Sequence, residues 1–186
     1  MRRTISILGI VSLMSYPVVG ANSLETATFA AGCFWGTEEF FRKVPGVVET
    51  RVGYSGGSAQ ASYKEVSSGT TGHAESLEIK FDPQKVAYQE LLLLFFKMHD
   101  PTTMNQQGND RGTQYRSIIF THSEKQRKIA EEIKAKIEKS GAWKKPLVTE
   151  IIKAKSFYPA ELHHQKYLIK NPGGYDNHFL RDLKFD

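Results

Sequence analysis

Cysteine is almost missing: the 186 residues contain one, Cys33. A disulfide framework within the chain is therefore excluded. Also missing are internal repeats, linkers and low-complexity tracts after the first twenty or so residues, so one domain is expected. No Gly-rich phosphate loop follows a strand, which argues against a dinucleotide-binding unit. Neither sign of charge is in large excess, with 25 Lys and Arg against 20 Asp and Glu, and two of the cations are Arg2 and Arg3. The others are spread among acids, most densely on one helix, which marks a solvated surface and not a nucleic-acid footprint. With 40% hydrophobic and 24% charged residues, the composition is that of an ordinary soluble domain.

One long apolar run is present, Ile5 to Val19, and it is too short for the ~20 residues a bilayer span needs. It contains Ser12, Ser15 and Pro17, follows Arg2 and Arg3, and ends in the small residues Val18-Val19-Gly20-Ala21. Residues 1–21 thus read as a signal peptide, leaving a domain of residues 22–186 in the periplasm or outside the cell. A lipoprotein site at Ala30-Ala31-Gly32-Cys33 is the other reading of this region. Polar Asn22, Ser23, Glu25 and Thr26 separate it from the apolar run and argue against it.

Beyond the leader, strand and helix patterns alternate. Strands are predicted over Thr26 to Ala31, Val47 to Tyr54, Ala74 to Phe81, Tyr115 to Thr121 and Leu147 to Ala154. Helices are predicted over Trp35 to Lys43, Val86 to Met98, Ser123 to Lys139 and Ala160 to Leu168. Ser123 and Gln126 form a capping box, and Gly141 follows the third of these helices. His99 to Thr113 is a long polar loop of the kind that often carries function. This order indicates an α+β fold.

Two residues stand out chemically. Cys33 lies in Gly32-Cys33-Phe34-Trp35-Gly36, where a strand gives way to a helix. The unpaired N–H groups of a helix start lower a thiol's pKa, flanking glycines permit a tight turn and close approach of substrate, and two aromatics beside a polar turn suggest a pocket. An inert, buried thiol is the competing reading. In the 74–81 strand Leu77, Ile79 and Phe81 share the apolar face, and the same register puts Glu75 there. A buried carboxyl has a raised pKa and serves as a proton donor; alternatively it pairs with a cation such as Lys64 or Arg116.

Gly32-Cys33-Phe34-Trp35-Gly36, Gly72-His73-Ala74-Glu75 and the run from Gly108 to Ser117 resemble, in order, the signature blocks of the A-type peptide methionine sulfoxide reductases. The resemblance extends from about Ala27 to Phe179 and includes Phe157-Tyr158-Pro159-Ala160-Glu161 and His164-Gln165. It implies a ferredoxin-like two-layer sandwich with a mixed central sheet and additional helices and loops. It also implies reduction of the S epimer of methionine sulfoxide, free or in oxidised proteins and peptides, with no metal or organic cofactor. Cys33 is then the nucleophile, and Glu75 the proton donor to the sulfoxide oxygen. Tyr63 and Tyr115 add hydrogen bonds, Asp110 orients substrate or water, and Phe34 and Trp35 form the methyl pocket. Asn177 stands where some relatives carry a recycling cysteine, so an external thiol, thioredoxin-like or small, must reduce the Cys33 sulfenic acid. A monomer without nucleic-acid or stable membrane partners is expected.

Rival readings are a cysteine hydrolase using Cys33, a histidine and Asn177, and a non-catalytic peptide-binding module using Phe34 and Trp35 alone. Glu161 and His164, with His163 adjacent, have a metal-ligand spacing, but one such pair is too few for a site.

Overall fold

The computed structural model describes residues 23–185, so the leader expected at residues 1–21 lies outside the described residues. Strand β1, Glu25–Ala31, is followed by helix α1, Phe34–Phe41, strand β2, Val47–Ser55, and the short helix α2, Tyr63–Ser67. Strand β3, Ala74–Phe81, and helix α3, Tyr88–Met98, come next. A loop then carries the two-residue strands β4, Gln106–Gln107, and β5, Asp110–Arg111, and a 3-10 turn, Thr113–Tyr115. Strand β6, Ser117–Thr121, helix α4, Glu124–Ser140, strands β7, Glu150–Lys153, and β8, Phe157–Pro159, and helix α5, Tyr167–Lys170, complete the order.

Six strands form one sheet in the order β7-β6-β1-β3-β2-β8. Its four inner strands pair antiparallel, while β7 joins β6 in parallel through the α4 crossover. The unit β1-α1-β2-β3-α3-β6 is thus the split βαβ arrangement of a ferredoxin-like sandwich, extended at both edges, as expected. Phe29 on β1 shows why the layers hold together. It is fully buried and packs its ring 5.3 Å from both Phe41 of α1 and Phe95 of α3. Ile119, Ala130 and Ile137 belong to the same core, which places α4 on this face too. Burying one such side chain contributes roughly 1.5–3 kcal/mol. On the opposite face a smaller cluster joins Ala30, Ala74, Ile118 and Phe120.

Some elements differ from expectation. The Ser123 hydroxyl caps α4 by accepting from Gln126 N, but the Gln126 carboxamide oxygen accepts from His122 N instead of closing the box. Residues 160 and 161 are irregular and 162–166 form turns and not the start of a helix, because Glu161 and Gln165 are drawn to Tyr54, Tyr63 and Val52. Strand β8 was not expected; it ends in Pro159 and lies at the sheet edge, where a missing N–H is tolerated. Helix α2 was also unexpected. Its signal was Ser62-Tyr63-Lys64-Glu65, a capping box in which each residue's side chain receives the other's backbone N–H.

Candidate active site

The end of β1 meets the beginning of α1 at Gly32 and Cys33. Phe29 of β1 faces Leu77 of β3, so two residues further on the chain reaches the level of Glu75. Gly32 turns the backbone with φ of 91°, a conformation natural to glycine, and Cys33 becomes the N-cap of α1. The expected approach of substrate to the glycines is not what the structure shows. A Cβ on Gly32 would collide with Gln107, and one on Gly36 with Asp176 and His178, so protein atoms occupy both spaces.

Cys33, Phe34, Trp35, Tyr63, Glu75, Asp110 and Tyr115 all line one cavity of about 170 Å3. Every residue to which the resemblance gives a catalytic or methyl-pocket role is therefore brought to one place, from the start of α1, α2, β3, β5 and the 3-10 turn. A larger groove of about 570 Å3 lies elsewhere, between the start of β2 and α5, and holds none of these groups. Tyr175 also lines the cavity and was missed, because it sits in a Gly-Gly-Tyr loop without periodicity. Its hydroxyl donates to Asp110 Oδ1 at 2.9 Å, and Asn177 Nδ2 donates to Asp110 Oδ2 at 2.8 Å.

Glu75 is 2% exposed and pairs with neither Lys64 nor Arg116; its Oε2 accepts the Phe34 backbone N–H at 3.0 Å. Arg116 is engaged by Glu150 and by the carbonyls of Gly72, His73 and Thr113. Burial pushes the Glu75 carboxyl from 4.5 up to about 8, against the Phe34 hydrogen bond that lowers it. The acid is therefore mostly neutral at pH 7.

Cys33 is 6% exposed. Burial first, and then the charge of Glu75, hold its thiol well above 9.0, although the N–H groups of Trp35 and Gly36 pull the other way. The helix start acts as the sequence predicts, but desolvation and the neighbouring carboxyl outweigh it. Burial and the Glu75 charge also raise the hydroxyls of Tyr63 and Tyr115, which stay protonated donors.

The aromatic wall is braced from behind. Trp35 stacks on Tyr167 with ring centroids 3.6 Å apart, and its Nε1 donates to His164 Nδ1 at 3.1 Å. Glu161 accepts from the Tyr54 hydroxyl and the Tyr63 N–H. The Glu161 and His164 pair thus supports the pocket, and among the described residues no group of three His, Cys, Asp or Glu is placed to hold a metal. Nor does a hydrolase triad form among them: Asn177 bonds Asp110 and Gln107, while His178 bonds Asp176 and the Ala31 carbonyl.

Comparison with known proteins accords with this geometry. Residues 25–184 match the family model described as "Peptide methionine sulfoxide reductase". A curated relative, the peptide methionine sulfoxide reductase MsrA of Methanothermobacter thermautotrophicus, is 55% identical over 149 residues, covering 80% of this chain and 88% of its own. Among solved structures, Mxr1 from Saccharomyces cerevisiae in reduced form is 42% identical, with a TM-score of 0.81 over 86% of this chain and 93% of that one. Mxr1 in complex with Trx2 matches at 28% identity and a TM-score of 0.59, covering 92% and 96%.

Proposed function

The chain belongs to the peptide methionine sulfoxide reductase family, and from that premise we propose that Cys33 carries the reduction of methionine sulfoxide to methionine, with Glu75 as proton donor. The observation that carries the assignment is the neutral acid beside the thiol: Glu75 and Cys33 share one small cavity with three phenols. A sulfoxide sulfur becomes electrophilic when its oxygen is protonated or strongly hydrogen-bonded. The Glu75 oxygen not engaged by Phe34 delivers that proton, and Tyr63 and Tyr115 donate further hydrogen bonds. The Cys33 sulfur attacks the sulfoxide sulfur, and the thiol proton passes to the Glu75 carboxylate. The protonated oxygen then moves to Cys33 as hydroxyl: the methionine S–O bond and the S–S bond made in the attack break, a Cys33 S–O bond forms, and the methionine sulfur gains the two electrons that the cysteine sulfur loses. Cys33 is left as a sulfenic acid. Phe34 and Trp35 receive the S-methyl group and favour the S epimer, and Asp110, held by Tyr175 and Asn177, orients substrate or water.

Without a second cysteine in the chain, no internal disulfide closes. An external thiol reduces the sulfenic acid, releasing water and leaving a mixed disulfide that a second thiol resolves. A thioredoxin-like protein fits this role, in line with the Trx2 complex of the related Mxr1. The sequence of residues 1–21 supports export to the periplasm or beyond, so the substrates are oxidised envelope or secreted proteins and peptides. Among the described residues no helix is long and apolar enough to cross a membrane.

Single turnover on a methionine sulfoxide peptide without reductant tests the chemistry. About one methionine per enzyme and a trappable sulfenic acid on Cys33 are expected. No methionine, or methionine formed equally by Cys33→Ser, would refute it.

A further inference from the structure

A carboxylate and imidazole pair lies behind Cys33, and the reaction above does not use it. Residues 175–178 alternate between two walls. Tyr175 and Asn177 hold Asp110, whereas Asp176 and His178 approach the turn that carries the nucleophile. His178 Nδ1 is 2.9 Å from Asp176 Oδ1, and Nε2 is 2.6 Å from the carbonyl oxygen of Ala31, the last residue of β1. The imidazole side chain has no exposed surface.

Both ring nitrogens face acceptors. A neutral imidazole has one N–H and one lone pair, so one of these contacts would then oppose two lone pairs. Only the imidazolium makes both, and the Asp176 carboxylate offsets its charge. Burial acts to raise Asp176, but the hydrogen bonds from the His178 ring and backbone N–H outweigh it and hold the carboxyl below its ordinary value. His99 brings no second cation nearby: burial lowers it to about 3, and it bonds the Phe95 carbonyl and Ser117.

The position of the ring matters because Gly32 has no side chain to brace its φ of 91° turn. The bare faces of Gly32 and Gly36 admit Gln107, Asp176 and His178, which pack against the turn from outside. Beyond Cys33 the backbone is tied to Glu75 through the Phe34 N–H; before it, Ala31 pairs with Ser117 of β6 and its carbonyl is in addition held by His178.

We propose that His178, doubly protonated and paired with Asp176, is a positioning residue that acts through the Ala31 carbonyl to set Cys33 against Glu75 and the tyrosines. The proposal rests on reading Cys33 as the nucleophile. Misplacing a reacting atom by about 1 Å is enough to slow attack on the order of 10²-fold.

Glutamine and asparagine separate this role from simple filling of space, since the glutamine amide nitrogen reaches the place of Nε2 and the asparagine amide that of Nδ1. In single turnover, His178→Gln should keep methionine formation within about threefold of the unsubstituted protein, and His178→Asn should lose roughly 10- to 100-fold. Half-saturation by substrate should change little in either, because Phe34 and Trp35 are untouched. Equal losses in both variants, or an unimpaired His178→Asn, overturn the proposal. Nitrogen-15 NMR of the unsubstituted protein gives a check that needs no variant to fold: both ring nitrogens of His178 should carry protons, and a bare nitrogen overturns the proposal. No methionine from the unsubstituted protein would instead overturn the reading of Cys33, and this role with it.

Discussion

Replacing Glu75 by Gln should slow the enzyme and stabilise it at once. The carboxyl is 2% exposed and raised by burial from 4.5 to about 8. At pH 7 roughly nine in ten molecules then hold the neutral acid, against about one in 300 for a group left at its ordinary value. Gln fills the same volume but has no proton to transfer, so methionine formation in single turnover should fall about 10²- to 10⁴-fold. The falling limb of the pH–rate profile above about 8, where Glu75 ionises, should vanish. With no carboxylate to take the thiol's proton, the rate that remains in the Gln variant should instead rise at high pH as the Cys33 thiol ionises. Stability changes in the opposite sense. Because the folded chain holds this proton more tightly than the unfolded one, the carboxyl's favourable contribution is complete below about 4.5 and is lost as pH rises to about 8. Relative to the Gln variant, the parent should lose on the order of 4 kcal/mol over that range. Urea titrations of both proteins at pH 5, 7 and 9 measure the difference. A stability gap that does not change with pH, or an unslowed Gln variant, would refute the reasoning.

Lys166→Met removes the ammonium that bonds buried Glu38 and Thr50, and should cost about 2 kcal/mol in urea denaturation, discounted because the Lys166 side chain is 38% exposed. A change below about 0.5 kcal/mol would show that water replaces it. Gly36→Ala drives a methyl group into Asp176 and His178 and should destabilise by about 1–3 kcal/mol while slowing methionine formation; wild-type stability would mean the C-terminal segment does not pack there. Trp35→Phe keeps a ring on Tyr167 but loses the bond to His164, so KM should rise more than kcat falls; the reverse split would move Trp35 from binding to chemistry.

Glu75 shows how far sequence periodicity reaches. Alternation along Ala74 to Phe81 suffices to put a carboxyl on the buried face, and burial then raises its pKa chiefly by desolvation, with the Asp110 charge adding to it. The longer strands were legible for the same reason, as were the helices with a clear apolar stripe; the two-residue strands β4 and β5 and the edge strand β8 were not. Cys33 shows where local reasoning stops. Its helix-start N–H groups are local and were visible; the desolvation that outweighs them comes from the packed fold, and the opposing charge from Glu75, 42 residues further along the chain. Tyr175 and His178 were illegible for a related reason. They lie in a segment without periodic structure, and their partners Asp110 and Ala31 are set by the fold and not by neighbours in the chain.

The raised pKa values of Cys33 and Glu75 have one physical origin and serve one end. A thiolate beside a carboxylate in a 170 Å3 cavity would place two like charges in poorly solvated space, so the empty site keeps both protons and stays neutral. A sulfoxide oxygen is the acceptor that such a site lacks. In the proposed reaction, its arrival lets the Glu75 proton move toward substrate just as the carboxyl becomes able to take the thiol's proton, so that nucleophile and electrophile are activated together and only when substrate is present. This coupling keeps the buried sulfur as an unreactive thiol between turnovers, a useful property for a lone cysteine facing oxidants without a partner to form a disulfide.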